Sequence, residues 1–366
     1  MRHFYRKILA LILAGIFLFP FTAVAQPLEE KTSLTLTAPA YILLDADSNA
    51  VIFEKNADER RQAASLIKLM SILLFMESLE SGAVTLETPI TVSSNAAQTK
   101  GSTALLDANS TYPLEDLLRS CIIASANDAT VAIAECIAGS EEAFVARMNQ
   151  RAQQLKLQNT YYKNCTGLTI DGQYTSARDC AVIAAALCRF PAFFTYSSLW
   201  MSTLQHPSGR HTDLTNTNRL VRFYSGCDGM KTGSSPEAKY CICATAAKGD
   251  LRLIAVVLGV STSQTRFDEA KAMLEYGLST YKRATVIKSG EFTGYNIPVL
   301  HGSQDSIGIA AGKQVGNGKE KQQEDAHVNE RPQRVFLTVQ TGRSLFLIDQ
   351  PLYTSGFSTP TKGRLR

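Results

Sequence analysis

Between Ala64 and about Leu79, the apolar residues Leu66, Ile67, Leu69, Met70, Ile72, Leu73, Leu74 and Phe75 occupy nearly every face of a 3.6-residue period. A helix with no side to offer water is expected to run through the middle of the protein rather than lie on it. Its polar exceptions, Ser65 and Lys68, stand near its start. The 366 residues, 45% hydrophobic and 19% charged, are enough for one large core plus a smaller domain. The 37 basic residues are matched by 33 acidic ones and are not gathered in one block, so nothing points to nucleic acid as a partner.

The first 25 residues differ from the rest. Arg2, Arg6 and Lys7 precede an apolar run from Ile8 to Phe21, followed by the small residues Ala23, Val24 and Ala25. This reads as a secretory signal peptide over residues 1–25, because the run falls short of the roughly 20 residues that span a bilayer. The chain is therefore expected to be exported, to the outer face of the cytoplasmic membrane, the cell wall or the medium. The end, Thr359 to Arg366, carries basic residues without an apolar face, so no amphipathic anchor is expected there and envelope association would be peripheral.

Tyr41–Leu44 and Val51–Glu54 flank the turn formers Asp47, Ser48 and Asn49 and predict a β-hairpin. Helices are expected at Leu114–Ile123, Ala126–Ala138, Glu141–Leu155 and Ser176–Leu187, with Asn127 and Asp128 as polar starts and Gly139 as a stop. From Gly226 the period shortens. Cys227–Thr232, Tyr240–Ala246 and Leu251–Leu258 read as strands, and Gln264–Thr280 as a helix. The interleaving predicts an α/β unit over residues 26–283 in which strands from both ends share one sheet. Residues 284–366 read as a small β-rich region, with strands at Ala284–Lys288, Asn296–Leu300, Arg334–Gln340 and Ser344–Ile348 and a polar flexible stretch near 312–334.

A serine attacks a carbonyl only if another group takes its proton. In Ser65-Leu66-Ile67-Lys68 the hydroxyl and the amine share a helix face about 5 to 6 Å apart at Cβ. The amine must be partly neutral to act, and an apolar surround would lower its pKa from the usual value near 10.4. Ser279-Thr280-Tyr281-Lys282 has the same spacing without that surround. Ser125-Ala126-Asn127 stands before a predicted helix, where capping is the alternative role. Lys231-Thr232-Gly233 stands at a strand end, where a cation, a hydroxyl and a bare backbone could receive a peptide. None of the three is specific alone; their order and their settings are.

The set resembles that of the penicillin-recognising serine enzymes. The stretches Ala40–Ala46, Ala63–Lys68, Cys121–Ala129, Tyr174–Asp179, Leu214–Leu220 and Gly229–Gly233 resemble one branch, the low-molecular-weight D-alanyl-D-alanine carboxypeptidases. The resemblance covers about residues 35 to 283. It implies a β-lactamase/transpeptidase-like fold, with a helical subdomain against an antiparallel sheet flanked by helices. It also implies cofactor-free removal of the terminal D-alanine of peptidoglycan stem peptides, with β-lactams as covalent inhibitors. Ser65 would be the nucleophile, Lys68 the general base and Ser125 the proton relay. Asn127 would hold the substrate amide, Lys231 would supply positive potential, and Thr232, Gly233 and Arg266 would receive the end of the peptide. Backbone N–H groups of Ser65 and Ser234 would form the oxyanion hole. Ala126, where the branch commonly has glycine, and Ser234, where some relatives have histidine, depart from its pattern.

Two rivals share the fold: a β-lactamase and a non-catalytic peptidoglycan-binding protein. The first needs a glutamate between the second and third motifs, and none occurs from Ala143 to Pro236. The second predicts a missing catalytic side chain, and none is missing. His206 and His211, beside Pro207 and Gly209, read as surface residues of a loop rather than zinc ligands. The eight cysteines read mainly as buried thiols, with Cys227 and either Cys241 or Cys243 as the pair best placed for a disulfide.

Overall fold

The computed structural model describes residues 34–287 and, after them, five strands between 292 and 352. The expected signal peptide and the basic end at 359–366 lie outside the described residues.

The hairpin β1 (Ala40–Asp45) and β2 (Val51–Lys55) opens the fold. A 3-10 turn, Ala64–Ile67, leads into α1 (Lys68–Glu80). Next come β3 (Pro89–Thr91), α2 (Ser94–Ala97) and β4 (Thr111–Pro113), then α3 (Leu114–Ile123), α4 (Asn127–Ala138) and α5 (Glu141–Gln154). The chain continues through α6 (Ala177–Leu187), α7 (Pro191–Ser197), the hairpin β5 (Met201–Gln205) and β6 (His211–Thr215), and α8 (Leu220–Phe223). The meander β7 (Cys227–Ser235), β8 (Lys239–Lys248) and β9 (Leu251–Val260) is followed by α9 (Ser263–Thr280).

The central sheet is antiparallel with order β2-β1-β9-β8-β7. Ile42 stands opposite Val256, so the first and last strands of the unit meet as expected. β7 is an edge strand, and its backbone faces the 3-10 turn that carries Ser65. α9 covers one face; Gly277 allows its approach, since a Cβ there would lie 2.3 Å from Leu253 Cδ1. The other face carries α6 and the helices around α1. In α1, Leu69, Met70, Leu73 and Phe75 are fully buried. At about 2 kcal/mol each, their burial outweighs the several kcal/mol that hiding a lysine beside them costs.

Caps explain several helix limits. Ser140, Ser176 and Thr262 accept the N–H groups of Ala143, Asp179 and Thr265, and Gly139 ends α4 at φ +87°. α4 is the exception to the expectation of polar starts. Its first residues, Asn127 and Asp128, turn their side chains mainly to other segments, and its N-cap residue Ala126 offers no side-chain bond.

The structure corrects several readings. The segment around His206 is the turn of the β5–β6 hairpin, and His206 is buried, its ring bonded to Tyr112 Oη and Thr212 Oγ1 at 2.8 Å each; only His211 is exposed. Burial and the Arg210 guanidinium hold the His206 ring below its ordinary pKa. All eight cysteines are free thiols. This agrees with their reading as mainly buried thiols; the β7–β8 register sets Cys227 opposite Ala246, three residues along from Cys243, so the candidate pair does not meet. After α9, β10 (Tyr281–Ile287) pairs with β13 (Val315–Glu320), β11 (Phe292–Pro298) with β12 (Ser306–Ala310), and β14 (Gln333–Thr341) with β15 (Ser344–Leu352). The polar stretch thus contains a strand at 315–320, while 321–332 lies outside the described residues.

Candidate active site

Ser65 lies on the 3-10 turn and Lys68 begins α1. The apolar period predicts a continuous α-helix from Ala64, and the structure departs from it in this first turn. A 3-10 turn has three residues per turn, so positions i and i+3 eclipse, which brings hydroxyl and amine closer than the α-helical spacing does. Ala64 enters the turn at φ +47°, a strained value for a residue with a Cβ. Lys68 Nζ lies 3.3 Å from Ser65 Oγ.

Lys68 is fully buried, and burial lowers its pKa from 10.5 to about 8. Nζ also donates to Asn127 Oδ1 at 2.5 Å and to the Thr166 carbonyl at 2.6 Å. A neutral amine has two N–H groups, and these two short bonds use both. The lone pair is then left facing the third neighbour, Ser65 Oγ.

Ser125 and Asn127 bracket the loop between α3 and α4. Ser125 adopts φ +62°, and its hydroxyl is buried with no hydrogen-bond partner among the described residues. Asn127 Nδ2 donates to the Lys100 carbonyl at 2.6 Å. Beside it, the buried Asp128 carboxylate accepts the N–H groups of Ala104, Leu106 and Ala129, fixing the 100–106 loop against α4.

Lys231 is buried on β7, and burial with the nearby Lys68 charge holds its amine well below its ordinary pKa. Its Nζ donates to the Thr232 carbonyl at 3.1 Å. Thr232 is buried and Ser234 is exposed, opposite Tyr240 in the ladder. Gly233 has a structural task beyond the one expected of it: a Cβ there would lie 2.3 Å from the Ala63 carbonyl oxygen, so only glycine lets β7 lie against the Ser65 turn. The Arg266 guanidinium donates to the Gly233 carbonyl at 3.0 Å and to Ser263 Oγ at 3.1 Å, while its Nε is buried without a partner among the described residues.

Sequence reasoning missed the loop behind Lys68. Asn164 Oδ1 accepts the Gly167 N–H at 2.7 Å, which turns the Thr166 carbonyl onto the amine. Gly167 sits at φ +81°, and a Cβ would fall 2.1 Å from the Ala64 carbonyl oxygen. Asn three residues before Gly is the turn signal that could have found it. The second S-x-x-K match carries no site: Ser279 caps the Tyr276 carbonyl, and Lys282 is exposed on β10. Among the described residues no group of three or more His, Cys, Asp or Glu could hold a metal ion.

Ser65, Lys68, Asn127, Lys231 and Gly233 are therefore tied to one place by hydrogen bonds, close packing or charge, with Ser125 two residues from Asn127. Known proteins share this frame. Residues 23–262 match the profile of peptidase S11, D-alanyl-D-alanine carboxypeptidase. The chain is 37% identical to D-alanyl-D-alanine carboxypeptidase DacF of Bacillus subtilis (strain 168), over 85% of this chain and 80% of that one. It is 34% identical to D-alanyl-D-alanine carboxypeptidase DacC of Escherichia coli (strain K12), over 84% and 78%. Among solved structures, penicillin binding protein 5 from Haemophilus influenzae superposes with a TM-score of 0.75 at 30% identity, covering 84% of this chain and 88% of its own. The chain belongs to the S11 family of D-alanyl-D-alanine carboxypeptidases.

Proposed function

We propose that this chain is a serine-type D-Ala-D-Ala carboxypeptidase, and that it removes the terminal D-alanine from peptidoglycan stem peptides outside the cytoplasm. The observation that carries the reading is the buried Lys68 amine, whose two short bonds to Asn127 and Thr166 aim its lone pair at Ser65 Oγ.

In the proposed reaction Lys68 takes the Ser65 proton as Oγ attacks the carbonyl carbon of the penultimate D-alanine. Backbone N–H groups of Ser65 and Ser234 receive the developing oxyanion. The C–N bond breaks, the proton passes through the partnerless Ser125 hydroxyl to the amine, and D-alanine leaves. Water then hydrolyses the ester and restores the serine. Asn127 holds the substrate amide, Lys231 adds positive potential near Lys68, and Thr232 with Arg266 takes the terminal carboxylate. The free edge of β7 is suited to an extended peptide lying antiparallel to it. A β-lactam presents the same acyl group in a ring, so it acylates Ser65 and remains attached.

Purified wild type and Ser65→Ala are incubated with a fluorescent penicillin and with a peptide ending in D-Ala-D-Ala. Wild type alone is expected to carry the label and to release D-alanine. Equal labelling of both proteins removes Ser65 from its role, and rapid turnover of the penicillin makes the chain a β-lactamase instead.

A further inference from the structure

Beside the β7 edge lies a cleft of about 440 Å³ with walls from two sides of the site. Arg266 and Phe267 at the start of α9 form one wall; Trp200, Thr217 and Arg219 contribute to the other. One wall is bonded to a motif residue and the other to the end of the helix that leads into a motif. Arg266 donates to the Gly233 carbonyl, and the Thr217 N–H donates to the Ile123 carbonyl, two residues before Ser125. The cleft thus extends the site on the side where Arg266 is proposed to hold the leaving residue. A D-alanine leaving group offers that space only a methyl, although the volume falls within the roughly 300–1,000 Å³ of small-molecule sites.

The chemistry of the cleft is cationic above apolar walls. The Arg266 Nε is buried and unpartnered among the described residues, and Arg266 as a whole is 9% exposed. Arg219 is exposed, and its guanidinium makes no hydrogen bond or ion pair among the described residues. The nearby Asp268, which lines the adjoining cleft with Arg219, accepts from Gln264 Nε2 instead. The two arginines line the same cleft, and burial, with the Arg219 charge as a minor addition, lowers the Arg266 pKa. Trp200, under the Arg222 guanidinium at 5.3 Å, and Phe267 supply apolar walls for a methylene chain.

We propose that this cleft is an acid-accepting extension of the leaving-group subsite, with Arg219 as its selecting residue. The enzyme then releases D-residues bearing a carboxylate on a short methylene chain, of the D-glutamate class, as well as D-alanine. The inference rests on the carboxypeptidase reading and keeps its bond changes. Ser65 Oγ joins the D-alanyl carbonyl carbon, the C–N bond breaks, the serine proton leaves on the amine of the D-glutamate, and water hydrolyses the ester.

The test uses acetylated peptides ending in D-Ala-D-Ala, D-Ala-D-Glu and D-Ala-D-Gln with wild type, Arg219→Ala and Arg219→Glu. The readout is the ratio of kcat/KM for D-Glu over D-Gln within each protein, which cancels any general loss. A charge-assisted bond in a half-open cleft is expected to give a ratio of about ten in wild type, carried mainly by KM. The ratio should fall toward one in Arg219→Ala and below one in Arg219→Glu. A wild-type ratio near one, or a ratio unmoved in both variants, overturns the inference while D-alanine release from D-Ala-D-Ala continues. Failure of wild type to release D-alanine at all brings down the carboxypeptidase reading itself.

Discussion

The two sides of the site are finished to different degrees. Behind Ser65 every group is matched: the Lys68 amine has two acceptors, in Asn127 and Thr166, and faces Ser65 Oγ, Gly167 and Gly233 lie against backbone carbonyls, and the Ser71 hydroxyl donates to the Cys165 carbonyl at 2.6 Å. In front of it, polar atoms lack partners among the described residues: Ser125 Oγ and Arg266 Nε are buried and unbonded, and Arg219 is unpaired. The contrast separates what must be fixed before substrate arrives from what substrate completes. A base gains from being held in advance, since misplacement costs rate. A binding group satisfied beforehand would have to break its own bonds to receive a ligand.

The largest break in this comparison should come from Lys68→Ala, which removes the centre of the matched side. Acylation by a fluorescent penicillin is expected to fall by about a thousandfold or more, within the span of general-base effects. Acylation within about tenfold of wild type would mean that another group takes the proton.

Gly167→Ala tests the packing behind the base. It forces a Cβ onto the Ala64 carbonyl at a positive φ, with an expected loss of about 2–4 kcal/mol in denaturant unfolding. An unchanged unfolding midpoint would show that the loop behind Lys68 yields easily.

The pH profile sharpens the account of the base. With the Lys68 pKa near 8, about one amine in ten is neutral at pH 7, so the acylation rate should rise roughly tenfold toward high pH and level off above about pH 8. The sign for stability follows from the same shift. The folded chain holds this proton less tightly than the unfolded one, so Lys68 destabilises most fully below pH 8, and this penalty fades as pH rises toward 10.5. A profile flat from about pH 6 to 9 would remove the neutral amine from the mechanism.

The smallest effect is also the most direct comparison of the two sides. Ser125→Ala deletes a hydroxyl with no partner and should change folding stability by less than about 0.5 kcal/mol, whereas Ser71→Ala breaks a buried bond and should cost about 1–2 kcal/mol. Equal costs from chemical denaturation would mean that Ser125 is already bonded in the resting enzyme.

Much of this architecture is legible in the residues themselves. The all-round apolar α1, the β1–β2 hairpin and the β7–β9 meander follow from periodicity, because burial dictates which residues each face accepts. The three motifs are legible as a set in sequence order. The hairpin of β5 and β6 is not, since Met201–Thr215 carries little apolar alternation, and His206 is buried by partners that come from Tyr112, far away in the chain. Local spacing makes Asn127 and Asp128 look like caps, while besides the adjacent Ala129 N–H their partners include Lys68 and the 104–106 backbone, which are distant or on another loop.

By itself, the sequence determined the strands and helices with a clear period, the buried course of α1 and the residue types available for serine acyl transfer, because these depend on local period and side-chain chemistry. The tertiary structure alone decided that the Ser65 turn is 3-10, that the Thr166 carbonyl and Asn127 aim the amine, and that Gly233 and Gly167 are needed for close approach. Those outcomes depend on which backbone carbonyls and charges meet across long separations, and no short window of residues contains both partners.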